Sequence, residues 1–333
     1  MSDKTTLVIT SIASPNPVLR EIARKCEERE ISFLLIGDAP SPADFSLSGC
    51  DFWSLDRQRS LDLRLAGLIP ERHYSRKNIG YLLAIRGGSS LVIETDDDNM
   101  PEESFWLPRN LSCEGPLLEG RGWSNIYSYF TDALIWPRGF PLELCKEPVI
   151  SDERLPHVKA HCPIQQGLAD ENPDVDAVYR MTLPLPQTFT YDKKILLGRD
   201  SWCPFNSQNT AWFPEAFPLL YLPSLCSFRM TDIWRSFVAQ RICWENGWPI
   251  LFHGPTVRQS RNEHNLLKDF SDEIPGYLNN ARICSALERL DLTSGEDRIG
   301  ENMLACYRAM IELGVVGGDE IRLLEAWLTD IPR

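Results

Sequence analysis

The chain has 333 residues, enough for one large domain or two smaller ones with an ample core. Hydrophobic content of 43% and charged content of 24% are ordinary for a globular protein, and a net charge of −13 argues against nucleic acid as a partner, since phosphate binding needs a basic face. Ten cysteines include no C-x-x-C pair, so no zinc or redox motif is present, and no apolar stretch reaches the length of a membrane span. Free thiols in a reducing cytoplasm, with no transmembrane segment, are the expectation.

A first strand is predicted over residues 6–12. Asn16 and Pro17 read as the N-cap and first residue of a helix whose apolar face carries Leu19, Ile22, Ala23 and Cys26. A second strand over 31–37 closes on Asp38. Strand, helix and strand within forty residues make a βαβ unit and imply a parallel sheet. No G-x-G-x-x-G follows the first strand, so a dinucleotide site of the usual kind is not supported. A helix is expected near 55–67 and another over 76–86, ended by Gly87-Gly88. Arg76 and Lys77 open the latter helix, where backbone N–H groups already favour an anion. They read either as diphosphate contacts or as a solvated basic turn.

That helix leads into Ser90-Leu91-Val92-Ile93-Glu94-Thr95-Asp96-Asp97-Asp98-Asn99-Met100-Pro101, a β-branched strand ending in three aspartates. Adjacent carboxylates repel, and a hard divalent cation with oxygen ligands removes that cost. In open α/β sheets ligands sit beyond the carboxyl ends of strands, where this cluster falls. A metal–diphosphate site is the working reading, against a solvated acidic turn. An EF-hand loop fits poorly, because Pro101 stands where its glycine is required.

Residues 102–160 are broken by Pro, Gly and Trp and read as loops and short strands. A further strand is expected over 175–182. The amides of residues 202–210, among them Asn206, Gln208 and Asn209, lie between aromatics and prolines, a composition that suits a sugar pocket or an ordinary turn. Thr231 begins an amphipathic helix with Ile233, Trp234, Phe237, Val238, Arg241 and Ile242 on its inward stripe. Asp232 and Arg235 fall off that stripe. Asp232 either complements the helix dipole or faces a cleft as a general base, and Arg235 joins the amides as a sugar or acceptor contact. A short strand over 249–254 carries His253, with His264 further on, and either imidazole is a candidate addition to a metal shell or a structural hydrogen-bonder. Helical patterns over 281–290, 301–313 and 319–327 suggest a small C-terminal unit, dividing the chain into 1–275 and 276–333.

Taken together, Arg76-Lys77-Asn78-x-Gly80-Tyr81-Leu82, the run Glu94 to Pro101, Gln166-Gly167-Leu168-Ala169-Asp170, Pro204 to Thr210, and Thr231-Asp232-Ile233-Trp234-Arg235 resemble the STELLO family of glycosyltransferase-like proteins. The aspartates and the last stretch are also similar to the reversibly glycosylated polypeptides, which are nucleotide-sugar mutases. The resemblance covers roughly residues 5–270, and the C-terminal helices find no counterpart. It implies a GT-A-like Rossmann-type α/β sheet flanked by helices. A D-x-D motif would bind Mn²⁺ or Mg²⁺ and the diphosphate of a nucleoside-diphosphate sugar donor, a UDP-sugar first. On that pattern Asp96, Asp97 and Asp98 carry metal and donor, Asp38 approaches the base or ribose, and Asp232 is the base of an inverting transfer to a glycan or small-molecule acceptor. A mutase and a non-catalytic partner protein are the alternatives, and a homo-oligomer stays open. The plant members' membrane anchor is not seen, so a cytoplasmic setting is expected rather than the Golgi.

Overall fold

The structure is a computed structural model and describes residues 4–260 and 265–332. Its first half runs β1 (Thr5–Thr10), α1 (Pro17–Glu28), β2 (Ser32–Ile36), β3 (Asp51–Trp53), α2 (Leu55–Arg59), α3 (Lys77–Arg86), β4 (Leu91–Thr95), β5 (Asn99–Pro101), β6 (Ser112–Leu118), β7 (Gly122–Trp123) and β8 (His157–His161). The second half runs β9 (Ile164–Asp170), α4 (Ala177–Thr182), β10 (Lys194–Leu197), β11 (Ser201–Trp202), β12 (Asn209–Trp212), α5 (Thr231–Glu245), β13 (Ile250–Gln259), α6 (Leu266–Glu288), α7 (Ile299–Glu312) and α8 (Glu320–Asp330).

The expected βαβ unit is present: β1 pairs in parallel with β2 and with β4, and β3 extends β2's edge, giving the Rossmann-type order β3-β2-β1-β4. The sheet then continues through an antiparallel β12 to β9, β13, β10, β6 and β8, with β5 pairing β13, eleven strands among the described residues. Successive residues of β1 serve opposite faces. Val8 joins Ile36, Ile79 and Val92 in one buried cluster, while Leu7 and Ile9 join Leu19, Ile22 and Ile93 in another under α1. The Asn16 side chain accepts from the Leu19 N–H at 2.8 Å, which caps α1 as its sequence requires. Gly80 lets α3 lie directly on the strands, since a Cβ there would come within 2.5 Å of Val8 and 2.8 Å of Ile36.

Several expectations are corrected. Residues 175–182 are not a strand: Asp176 accepts the Tyr179 N–H at 2.8 Å and starts α4. The helix near 55–67 stops at Arg59, and a separate 3-10 turn covers Leu65–Gly67, where Asp330 takes the backbone N–H groups of Arg64 and Leu65. The polar stretches 164–170 and 209–212 are buried central strands, and the strand carrying His253 runs on to Gln259. Their polarity hid them, because Gln166, Asn209 and Thr210 satisfy one another and the backbone inside the sheet. The C-terminal unit is helical as expected, but α6 runs unbroken across the 275/276 boundary, and Trp327 of α8 lies in the same buried cluster as the sheet. Among the described residues no helix is long and apolar enough to cross a membrane.

Candidate functional site

The three aspartates sit in the turn between β4 and β5 and line one cavity of about 210 Å³ together with Asp232. The turn is pinned from beneath: Thr95 Oγ1 and Asn99 Nδ2 both donate to the Gln208 carbonyl, at 2.7 and 3.1 Å. Each carboxylate meets protein donors. Asp96 accepts from Tyr74 OH at 2.9 Å and Lys77 Nζ at 3.4 Å, Asp97 from Ser11 Oγ, and Asp98 from Gln259 Nε2 at 3.1 Å. Burial pushes Asp96 up to about 7, with Asp98 and Asp97 adding to it against the pull of Lys77, and burial raises Asp97 as well. Thr10 Oγ1 and Gln259 Oε1, on the same cavity, are buried without a hydrogen-bond partner among the described residues.

Among the described residues no group of three or more His, Cys, Asp or Glu side chains is preassembled to hold a metal ion. The donor set nevertheless fits a hard divalent cation. Mg²⁺ uses one or two carboxylates and completes its shell with water and substrate phosphate, so a closed protein cage is not required. Crowded carboxylates, one of them titrating near neutrality, and unpaired oxygens on the same cavity are what such an ion would relieve.

The other expected donor contacts are placed differently. Lys77 is fully buried behind Asp96, donating to Tyr74 OH at 2.8 Å, the Thr95 carbonyl at 2.9 Å and the Ser207 carbonyl at 3.2 Å. It orients the turn instead of facing the rim. Arg76 points away from the aspartates, its Nε on Gln58 Oε1 at 2.8 Å and its Nη1 toward the Ile69 carbonyl, where burial lowers its pKa. Asp38 ties two loops, accepting from the N–H groups of Ala39 at 2.7 Å and His73 at 2.9 Å.

Asp232, in the first turn of α5, does face the cavity. Its carboxylate is held by Arg138 Nη2 at 2.9 and 3.1 Å and accepts from the Ser207 N–H at 3.3 Å, with Ser207 Oγ at the same distance. Burial works against its charge, yet Arg138 prevails and holds it at about 2. Arg138 in turn forks onto Asp174 with two 2.8 Å bonds. Sequence reading missed both. Arg138 lies 94 residues from Asp232 in an irregular, proline-rich segment, so no local periodicity could have linked them.

The amide pocket is mostly structural. Asn209 is buried in β12, its Nδ2 on the Leu168 carbonyl at 3.0 Å and Thr256 Oγ1 at 2.9 Å, and Asn206 caps its own turn by accepting the Gln208 N–H at 3.0 Å. Only Gln208 of the three lines the cavity, and its Nε2 donates to Asn99 Oδ1 at 3.2 Å. Arg235 is buried too, ion-paired with Glu94 at 2.8 Å and lying 4.9 Å over the Trp212 ring. His253 does not join the aspartates. It lines another cavity, with Nδ1 2.8 Å from the Gly254 carbonyl, and burial together with Arg109 pulls it down to about 4. His264 lies outside the described residues.

Comparison with known proteins sets this geometry in context. Residues 229–333 match the model of a family described as STELLO glycosyltransferases. Two Arabidopsis thaliana proteins described as probable glycosyltransferase STELLO2 and probable glycosyltransferase STELLO1 are 31% and 30% identical over 318 residues, 90% of this chain. The chain spans 41% of the length of each. The family match includes α6, α7 and α8, so the C-terminal helices do have a counterpart, contrary to expectation.

Proposed function

Because the chain is a relative of the STELLO glycosyltransferases, we propose that it transfers a sugar from a nucleoside-diphosphate sugar, a UDP-sugar first, to the hydroxyl of a glycan or small-molecule acceptor. The observation that carries this reading is the sharing of one cavity by the acidic turn and Asp232. At about 210 Å³ that cavity is smaller than the roughly 300–1,000 Å³ of a typical ligand site, so it suits the diphosphate–sugar junction of a donor whose nucleoside lies outside.

In this GT-A type reading Asp96, Asp97 and Asp98 would hold Mn²⁺ or Mg²⁺, which when bound supplies neutralisation of the charge on the departing diphosphate. Lys77 and Tyr74 fix Asp96, while Ser11 and Asn16 fix Asp97, the latter through its backbone carbonyl at 2.8 Å. Asp232 accepts the acceptor hydroxyl's proton from the face opposite the leaving group, giving inversion. A carboxylate held at about 2 is a weak base, so the proton moves late, as the bond to the leaving group breaks.

That same weakness favours a second reading. A mutase, which rearranges the sugar on its own nucleotide, has no acceptor to deprotonate and would use Asp232 only to position Arg138. Incubating UDP-sugars with the protein and Mn²⁺ tests both. Free nucleoside diphosphate supports transfer, a changed sugar ring supports the mutase, and neither product with no donor binding leaves a non-catalytic partner protein.

A further inference from the structure

A second, larger cavity of about 720 Å³ opens between residues 104–114, the segment 191–194 and the His253–Thr256 stretch of β13. His253 and Gln259, the latter at the acidic cavity, are six residue steps apart along β13, at most about 20 Å. The volume falls in the range of small-molecule sites. In a chain of net charge −13, its charged lining is cationic: Arg109, Lys159, Lys193 and Lys194 against the carboxylates Glu114 and Asp192. Glu114 is taken by Lys159 at 3.8 Å, and Lys193 turns to Asp152 at 3.0 Å.

Arg109 and Lys194 have no carboxylate partner among the described residues. Among the described residues Arg109 donates once, from Nη1 to the Phe105 carbonyl at 3.0 Å, and its buried Nε has no partner. Burial alone lowers it to about 10, with no carboxylate holding it up. A half-buried guanidinium without a counterion leaves donors unmatched, and its planar fork matches carboxylate or phosphate oxygens. Lys194 stands opposite His253 in the antiparallel β10–β13 register, which puts both side chains on one face. His253 is neutral at pH 7, and with Nδ1–H on the Gly254 carbonyl its Nε2 is left as an acceptor for a hydroxyl.

We propose that this cavity is a second binding site, for a hydroxylated oxyanion of sugar size, a sugar phosphate or a sugar acid, whose charge is met by Arg109 and Lys194. The site is independent of the acidic turn and of any divalent ion.

Calorimetry on the full chain in EDTA tests this, with glucose 6-phosphate, glucuronate and neutral glucose as probes. Saturable binding of either anion and none of glucose is expected, and which anion binds identifies the source of the charge. Arg109→Gln and Lys194→Gln should each weaken it about ten- to hundred-fold, the range of one charge-assisted hydrogen bond. Lys268→Gln, a distant surface lysine, should not. Should Arg109→Gln fail to fold in a thermal melt, the exposed Lys194→Gln carries the test alone. Absence of saturable binding by both anions, or wild-type affinity in Lys194→Gln, overturns the proposal.

Discussion

Tyr74 OH and Ser207 Oγ lie 2.6 Å apart and join the two halves of the acidic cavity, because the Ser207 hydroxyl can donate to Tyr74, Tyr74 donates to Asp96, and the Ser207 backbone N–H donates to Asp232. The turn after β4 and the start of α5 are thereby held in one hydrogen-bonded chain. Tyr74→Phe removes the shared hydroxyl and leaves the ring. Loss of a bond to a charged group is worth about 1.5–3 kcal/mol, so transfer should fall roughly ten- to hundred-fold. Donor affinity in Mn²⁺ should fall as well, because Tyr74 also fixes Asp96. Initial rates of nucleoside diphosphate release beside donor calorimetry separate the two.

Asp96 predicts a pH dependence. Its folded pKa of about 7 lies above the ordinary value of 3.8, so its contribution to stability is fully present below pH 3.8 and is lost as pH rises through 7. A divalent ion needs the ionised carboxylate and competes with the proton. Mn²⁺ should therefore bind more tightly at pH 8 than at pH 6, release a proton on binding near pH 7, and raise the melting temperature more at the higher pH. Mn²⁺ titrations in buffers of different ionisation enthalpy read the proton directly, and a flat affinity across this range would contradict the assignment.

Asp232→Asn should abolish transfer yet preserve donor binding. Arg138 keeps its fork on Asp174, so the fold should survive. In the wild type the folded value of about 2 lies below 3.8, so the stability from this pair is present above pH 3.8 and lost as pH falls toward 2. Acid titration of stability should accordingly lose part of its slope below pH 4 in the variant. Unchanged turnover by Asp232→Asn would remove it from the chemistry.

Glu94→Gln tests the scaffold beneath the turn. Glu94 is fully buried and meets Arg235, the Tyr81 hydroxyl and the Trp212 ring nitrogen. Breaking a buried pair from one side costs about 3–5 kcal/mol, because the other charge is left uncompensated. Urea unfolding should show a loss of that size.

Much of the frame was legible because its signals are local. Asn16-Pro17 and the apolar faces of β1, α1 and β2 encode the βαβ unit within forty residues, and the aspartates mark the end of β4 by composition alone. The site's remaining parts depend on contacts distant in sequence. Arg138 and Asp174 come from irregular segments, and only packing against α5 brings them to Asp232. Conversely, Arg76, Arg235 and Asn209 have the chemistry of ligand contacts but spend it inside the protein, on Gln58, Glu94 and Thr256. Residue type cannot distinguish a polar group that faces a cavity from one that satisfies a buried neighbour.

The central claim is that the acidic turn takes a divalent ion together with a nucleoside diphosphate. Calorimetry of UDP with and without Mn²⁺, on the wild type and Asp97→Asn, tests it most directly. The account predicts binding that requires Mn²⁺ and weakens at least about tenfold in Asp97→Asn, the effect of about 1.4 kcal/mol. Equal UDP affinity in EDTA and in Mn²⁺, or an unaltered Asp97→Asn, would contradict it.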